Sequence, residues 1–84
     1  MFNNKTILIT GGTGSFGREA TKYLLKNFNL KKLIIYSRDE NKQFEMQNAI
    51  KDKRLRFFLG DVRDQARLEM ALRDIDMVIH AAAL

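Results

Sequence analysis

The chain has 84 residues, with 15 lysines and arginines against 10 aspartates and glutamates, a formal charge of +5, and neither cysteine nor proline. A chain of this length makes one small domain with a modest core and no disulfide to reinforce it. The apolar stretch near the N-terminus is too short for a signal-peptide core or a membrane span, so the expectation is a soluble, unexported, cytoplasmic protein with no membrane partner. The absence of cysteine fits a reducing compartment.

Thr6 to Thr10, with Ile7-Leu8-Ile9 at its centre, reads as a strand covered on both faces. It runs directly into Thr10-Gly11-Gly12-Thr13-Gly14-Ser15-Phe16-Gly17, which places glycines at 11, 14 and 17 where a buried strand must turn into a helix. Gly11 allows the tight reversal, Gly14 lets the backbone approach a pyrophosphate, and Gly17 lets the helix lie close to the strand. The amide groups of the helix's first turn then face the anion, and the helix dipole adds to their attraction. With a strand before it, a helix after it and a second strand at the right distance, the motif reads as a dinucleotide cradle.

The helix is expected from Ser15 to Lys26, ending near Asn27, with Phe16, Ala20, Tyr23 and Leu24 recurring at helical spacing. Lys32 to Tyr36 reads as the second strand, and Glu40 to Lys51 as the second helix with Met46, Ala49 and Ile50 on one side. The basic cluster Lys51-Asp52-Lys53-Arg54-Leu55-Arg56 straddles the join to the third strand, Leu55 to Leu59. It reads as a solvated loop near a helix C-terminus, because no aromatic residues interleave with the cations to stack bases, so no nucleic-acid partner is expected. Asp64 is positioned to cap a third helix whose apolar stripe is Leu68, Ala71, Leu72 and Ile75. Met77 to Ala81 is the fourth strand.

This alternation predicts an α/β fold: the N-terminal half of a Rossmann-type, doubly wound parallel sheet in strand order 3-2-1-4, with helices on both faces. Residues 1–84 form a single partial domain without an internal boundary. The ligand should lie across the carboxyl ends of the strands, where the glycine bend, Ser37-Arg38, Gly60-Asp61-Val62 and Ala81-Ala82-Ala83 converge.

At the end of the second strand, about 20 residues past the glycine loop, an acidic residue usually holds a free ribose 2′-hydroxyl. This chain has Tyr36-Ser37-Arg38 there. A hydroxyl followed by a guanidinium suits a 2′-phosphate better, which favours NADP over NAD. Lys42 adds positive charge on the same side, while Asp39 and Glu40 stand next in line, Asp39 reading as a helix N-cap. Asp61 and Val62 are complementary to adenine, the carboxylate accepting from the exocyclic amine and the valine covering the ring; the lesser alternative is that Asp61 merely closes a turn. Ala81 and Ala82 leave room for the central part of a cofactor. His80, alone of its type and without a nucleophile pattern, reads as a hydrogen-bonded strand residue, and no metal-ligand cluster is present in the sequence.

Together Thr10 to Gly17, Tyr36-Ser37-Arg38-Asp39-Glu40, Arg56 to Asp64 and His80-Ala81-Ala82-Ala83-Leu84 resemble the extended short-chain dehydrogenase/reductases. Within them the likeness is to the UDP-N-acetylglucosamine 4,6-dehydratases of bacterial surface-polysaccharide and flagellin-glycan synthesis, and it covers essentially the whole chain. The resemblance implies a tightly held NADP that is regenerated in each cycle: hydride leaves C4 of the sugar, water is eliminated across C5 and C6, and hydride returns at C6. It implies that Thr13, Gly14, Ser15 and Phe16 wrap the pyrophosphate. Ser37 through Lys42 would take the adenosine end, and Asp61 and Val62 the adenine. Asn41 stands where the family commonly has leucine.

The family's tyrosine-x-x-x-lysine pair, its acid for the elimination and its sugar-nucleotide region would follow Leu84. No catalytic residue is therefore assigned, and the chain is expected to be an N-terminal fragment, inactive alone, with its fourth strand an unpaired apolar edge. A UDP-sugar partner and homo-oligomeric assembly are expected only of full-length relatives. Two other readings stay open: a stand-alone NADP-binding or sensing module acting through a partner, and a small basic nucleic-acid binder.

Overall fold

In the computed structural model, which describes residues 2–81, strand and helix alternate throughout: β1 Thr6–Thr10, α1 Ser15–Asn27, β2 Lys32–Ser37, α2 Glu40–Ala49, β3 Leu55–Leu59, α3 Gln65–Ala71 and β4 Met77–His80. The four strands form one parallel sheet in the expected order β3-β2-β1-β4. β1 is internal, and all five of its residues are buried. Its register sets Ile9 level with Ile35 of β2 and Ile79 of β4.

Successive strand residues point to opposite faces of a sheet, which divides the apolar side chains into two layers. Ile7, Ile9, Leu33 and Ile35 share one face with Leu24 of α1 and Met46 of α2. Leu8 and Tyr36 point to the other, where they meet Ala71 of α3, with Leu68, Val62 and Ile75 around them. Helices thus cover both faces. β4 remains an edge strand, with Met77 and Val78 exposed beside its single pairing to β1.

The buried stripe of α1 differs from the expected one. Gly17, Thr21 and Leu24 face the sheet, while Phe16 and Tyr23 are exposed. The reason is a backbone contact: a Cβ built on Gly17 would stand 2.4 Å from the Cα of Gly12. This approach turns the 17–21–24 row inward. Thr21 tolerates complete burial because its hydroxyl donates to the Gly17 carbonyl at 2.8 Å.

Two other helices end earlier than their apolar patterns suggest. In α2 the ladder stops at Ala49, which is exposed, and the buried residues are Gln43 and Met46. In α3 regular helix ends at Ala71, after which bonds from Arg73 N–H to Met70 and from Ile75 N–H to Leu72 tighten the chain to three-residue steps. Asp74 then adopts a left-handed φ of 60°, and Asp76 ties the start of β4 to Thr6 through both its backbone and its carboxylate. Ile75 still reaches the core, but Leu72 is left partly exposed.

The basic stretch 51–56 is divided by its geometry. Lys51, Lys53 and Arg56 are exposed, whereas Asp52 and Arg54 form an ion pair at 2.8 Å with about a fifth of each side chain accessible. The Arg54 guanidinium also donates to the carbonyls of Leu25 at 2.8 Å and Phe28 at 2.9 Å, satisfying acceptors at the C-terminal end of α1. Its hydrogen bonds hold the Asp52 carboxyl below the usual carboxylate range.

Two outcomes follow for stability. Gly17→Ala would gain about 0.5–1 kcal/mol from helix propensity, but it forces a methyl group into backbone that cannot rotate away, so a net loss of about 1–3 kcal/mol is expected from chemical denaturation. Asp52→Asn is expected to cost about 1 kcal/mol at neutral pH. Because the folded carboxyl titrates lower than the unfolded one, that difference is complete above about pH 5 and shrinks as the pH falls through the unfolded value near 3.9 and the lower folded one. Denaturant titrations across that range measure it.

Candidate functional site

The carboxyl ends of the strands open onto a cleft of about 760 Å³. Backbone bonds continue the sheet ladder into its rim: Gly11 N–H donates to the Tyr36 carbonyl at 2.8 Å, Gly60 N–H to Ser37 at 2.8 Å, and Ala81 N–H to Thr10 at 2.9 Å. The loops that line the cleft are thereby fixed at their roots.

The first wall is the glycine bend. Gly11 has φ 66°, a left-handed conformation that side chains disfavour. Gly14 has an ordinary φ of −78°, and a Cβ there would meet nothing nearer than the Gly11 carbonyl at 3.7 Å. The chain's own packing makes no demand for glycine at 14; a group resting against that backbone would. Thr13 is buried beside it, its carbonyl accepting from Arg18 Nε at 3.2 Å.

The start of α1 is chemically different from the other helix starts. α2 and α3 are capped by Asp39 and Asp64, whose carboxylates accept from the amides of Lys42 at 3.0 Å and Arg67 at 3.1 Å. α1 has no side-chain cap and no acidic residue in its first turn. Donors at a helix N-terminus that no side chain satisfies, beside a glycine with space at its Cβ position, fit the pyrophosphate of a dinucleotide. Ser15 and Phe16 are exposed on this first turn, and Gly17 lies beneath the bend against Gly12. None of these three side-chain positions lines the cleft.

The second wall comes from the end of β2. Tyr36 is fully buried, and its hydroxyl donates to the Asp61 carbonyl at 2.9 Å. Burial pushes its phenol up, so it stays protonated and able to donate. Ser37 is buried as well, and the Gln43 amide donates to its hydroxyl oxygen at 3.0 Å and to the carbonyls of Ser37 and Phe58, each at 3.2 Å. Arg38 is exposed at the rim. Asp39 and Lys42 also line the cleft, whereas Glu40, on the exposed first turn of α2, does not.

The third wall is Gly60-Asp61-Val62-Arg63. The Asp61 carboxylate closes its own turn, accepting from the Arg63 amide at 2.9 Å, and it also accepts from Arg63 Nε at 3.1 Å and Nη2 at 2.8 Å. Arg38 Nη1 stands 3.6 Å from the same carboxylate. The Arg63 hydrogen bonds hold the Asp61 carboxyl well below the usual carboxylate range, with Arg38 adding to the effect, so it is ionised at neutral pH. Val62 lines the cleft and backs onto the Leu8–Tyr36 layer.

Ala81 completes the enclosure, and Ala82 lies outside the described residues. His80 is exposed on the edge strand with its Nδ1 hydrogen-bonded to the Thr10 hydroxyl. Among the described residues there is no group of side chains able to hold a metal ion, and no helix is long and apolar enough to cross a membrane.

Gln43 contributes to the site without having been named from the sequence, and Tyr36 and Arg63, named there only as members of motifs, were given no role in it. The available signal was spacing: Gly60 follows β3 where a Cβ would come within 2.5 Å of the Tyr36 hydroxyl, marking a close crossing of the two strand ends. Gln43 sits one turn into α2, on the same row as Met46.

Residues 7–84 match the polysaccharide biosynthesis protein family. Over its full 84 residues the chain is 62% identical to a UDP-N-acetylglucosamine 4,6-dehydratase (inverting) of Campylobacter jejuni, covering 25% of that protein. It therefore spans about a quarter of the length of this curated relative. Among solved structures, Pen from Bacillus thuringiensis superposes with a TM-score of 0.93 at 37% identity, over 100% of this chain and 26% of that one. The dTDP-glucose 4,6-dehydratase of Bacillus anthracis, solved in complex with NAD, superposes with a TM-score of 0.76 at 24% identity, over 95% of this chain and 27% of that one, a likeness of fold alone. The glycine bend, the strand order and the family match agree: the chain belongs to the polysaccharide biosynthesis protein family.

Proposed function

We propose that this chain is the NADP-holding part of a nucleotide-sugar 4,6-dehydratase acting on a UDP-N-acetylglucosamine-type substrate. The observation that carries the reading is the uncapped start of α1, which faces the same cleft as a Ser37–Arg38 pair standing where an acidic residue would favour NAD. The backbone around Thr13 and Gly14 and the first-turn amides of Ser15 and Phe16 hold the pyrophosphate. Arg38 and Lys42 supply positive charge to the 2′-phosphate. Ser37 offers its hydroxyl to the same group.

Asp61 and Val62 form the wall against adenine, while Ala81 leaves space for the centre of the dinucleotide. When bound, the cofactor supplies a hydride acceptor at sugar C4 and a hydride donor at C6, on either side of the loss of water across C5 and C6. These 84 residues contain no tyrosine-x-x-x-lysine sequence, so their role is binding and orientation, and turnover by this stretch alone is not expected. The exposed apolar edge of β4 supports a sheet that continues in a longer polypeptide.

Calorimetric titration with NADP and NAD tests this reading. Arg38→Ala is expected to weaken NADP about tenfold more than NAD, as loss of a charge-assisted contact to phosphate implies; equal losses would remove the 2′-phosphate assignment. Gly14→Ala is expected to change stability by less than about 1 kcal/mol, the difference between glycine and alanine at an N-cap. It should weaken both dinucleotides alike, since both carry the pyrophosphate.

A further inference from the structure

We propose that Arg63 is a second specificity-determining cation of this site, standing with Arg38 on either side of the Asp61 carboxylate so that two guanidiniums flank the 2′-phosphate. The inference rests on the NADP reading above and adds a residue from a different segment of the chain. Arg38 follows β2 and Arg63 follows β3, yet both reach the same oxygen: Asp61 Oδ2 lies 2.8 Å from Arg63 Nη2 and 3.6 Å from Arg38 Nη1. Their nitrogens can be no further apart than those two contacts laid end to end, a span that a phosphate group can bridge.

The two arginines have donors to spare. A guanidinium carries five N–H groups in a planar fork, and Arg63 directs only its Nε and Nη2 at Asp61. Arg38 makes an ion pair at a distance beyond a good hydrogen bond. Both side chains are about three-quarters accessible, at 72% and 77%, so a ligand can approach them. The charges point the same way. Two guanidiniums around one ionised carboxylate leave one positive charge; on the same cleft Lys42 adds one and Asp39, turned onto the Lys42 amide, subtracts one, so the wall keeps a net positive charge toward a phosphate monoester. A ribose with a free 2′-hydroxyl offers nothing to neutralise it.

In this arrangement Asp61 acts as a positioning residue as well as an adenine neighbour. Its carboxylate draws two flexible side chains to one place before the ligand arrives, lowering the conformational cost of gathering them. The turn that the carboxylate makes with the Arg63 amide fixes where Arg63 begins, and the Tyr36 hydroxyl fixes the Asp61 backbone from below.

The test is a calorimetric comparison of NADP and NAD binding by the natural polypeptide that carries this sequence, using the wild type, Arg38→Ala, Arg63→Gln and Arg63→Lys. Arg63→Gln is expected to lower the NADP:NAD affinity ratio about tenfold, chiefly through weaker NADP binding. Arg63→Lys, which keeps the charge but loses the fork, should fall between the two. NAD binding retained by the glutamine variant shows that it is folded; should it bind neither cofactor, the lysine variant decides.

An equal loss for both cofactors in Arg63→Gln would make Arg63 a cover for the adenine ring and overturn the proposal. So would an unchanged ratio in a protein whose ratio falls on Arg38→Ala. A wild type without NADP preference, or a ratio indifferent to Arg38→Ala, would instead remove the underlying NADP reading and this inference with it.

Discussion

No side chain fits between the start of α1 and the bend that precedes it, and the rest of the site depends on that exclusion. Gly17 rests against the backbone of Gly12, with 2.4 Å left for any Cβ, so the first turn of the helix lies directly on the loop leaving β1. At the far end Arg54 holds the carbonyls of Leu25 and Phe28. α1 is therefore held at both ends, by close approach at one and by a cation on the negative pole of its dipole at the other. Its free amides point where β1 delivers them. Because β1 is wholly buried, the bend inherits its position from the most enclosed strand of the sheet.

Much of this architecture is legible in the sequence because it rests on short-range rules. Three of the strands are apolar runs of the length a buried strand needs, and the turn chemistry between elements is carried by Gly11, Asp39, Gly60 and Asp64 at the expected places. The face that a helix buries is harder to read. Phe16 and Tyr23 make a plausible apolar row in α1, but the inward row is Gly17–Thr21–Leu24, chosen by a backbone contact that hydropathy does not register. The end of α3 is missed for a related reason. Leu72 and Ile75 continue a helical period, while the requirement to enter β4 through Asp76 overrides it.

In the site itself, residues close in sequence to the glycine bend and the strand ends could be identified from position. Those acting across segments could not. Gln43 reaches Ser37 and Phe58, and Tyr36 reaches Asp61 across 25 positions, through bonds that exist only once β2 and β3 lie side by side. The side-chain partners of Asp61 belong to the same class: Arg63 is a neighbour in the chain, but Arg38 arrives from another strand.

The caps of α2 and α3 have a consequence for how the rim presents itself to an approaching molecule. Asp39 and Asp64 look in the sequence like acidity beside the cleft, yet each carboxylate is turned onto the amides of its own helix. Asp61 is enclosed by arginine. Lys42 forms no ion pair among the described residues, and Arg38 and Arg63 outnumber the one carboxylate they share, so an anion drifting toward the mouth meets cations held ready to pair with it.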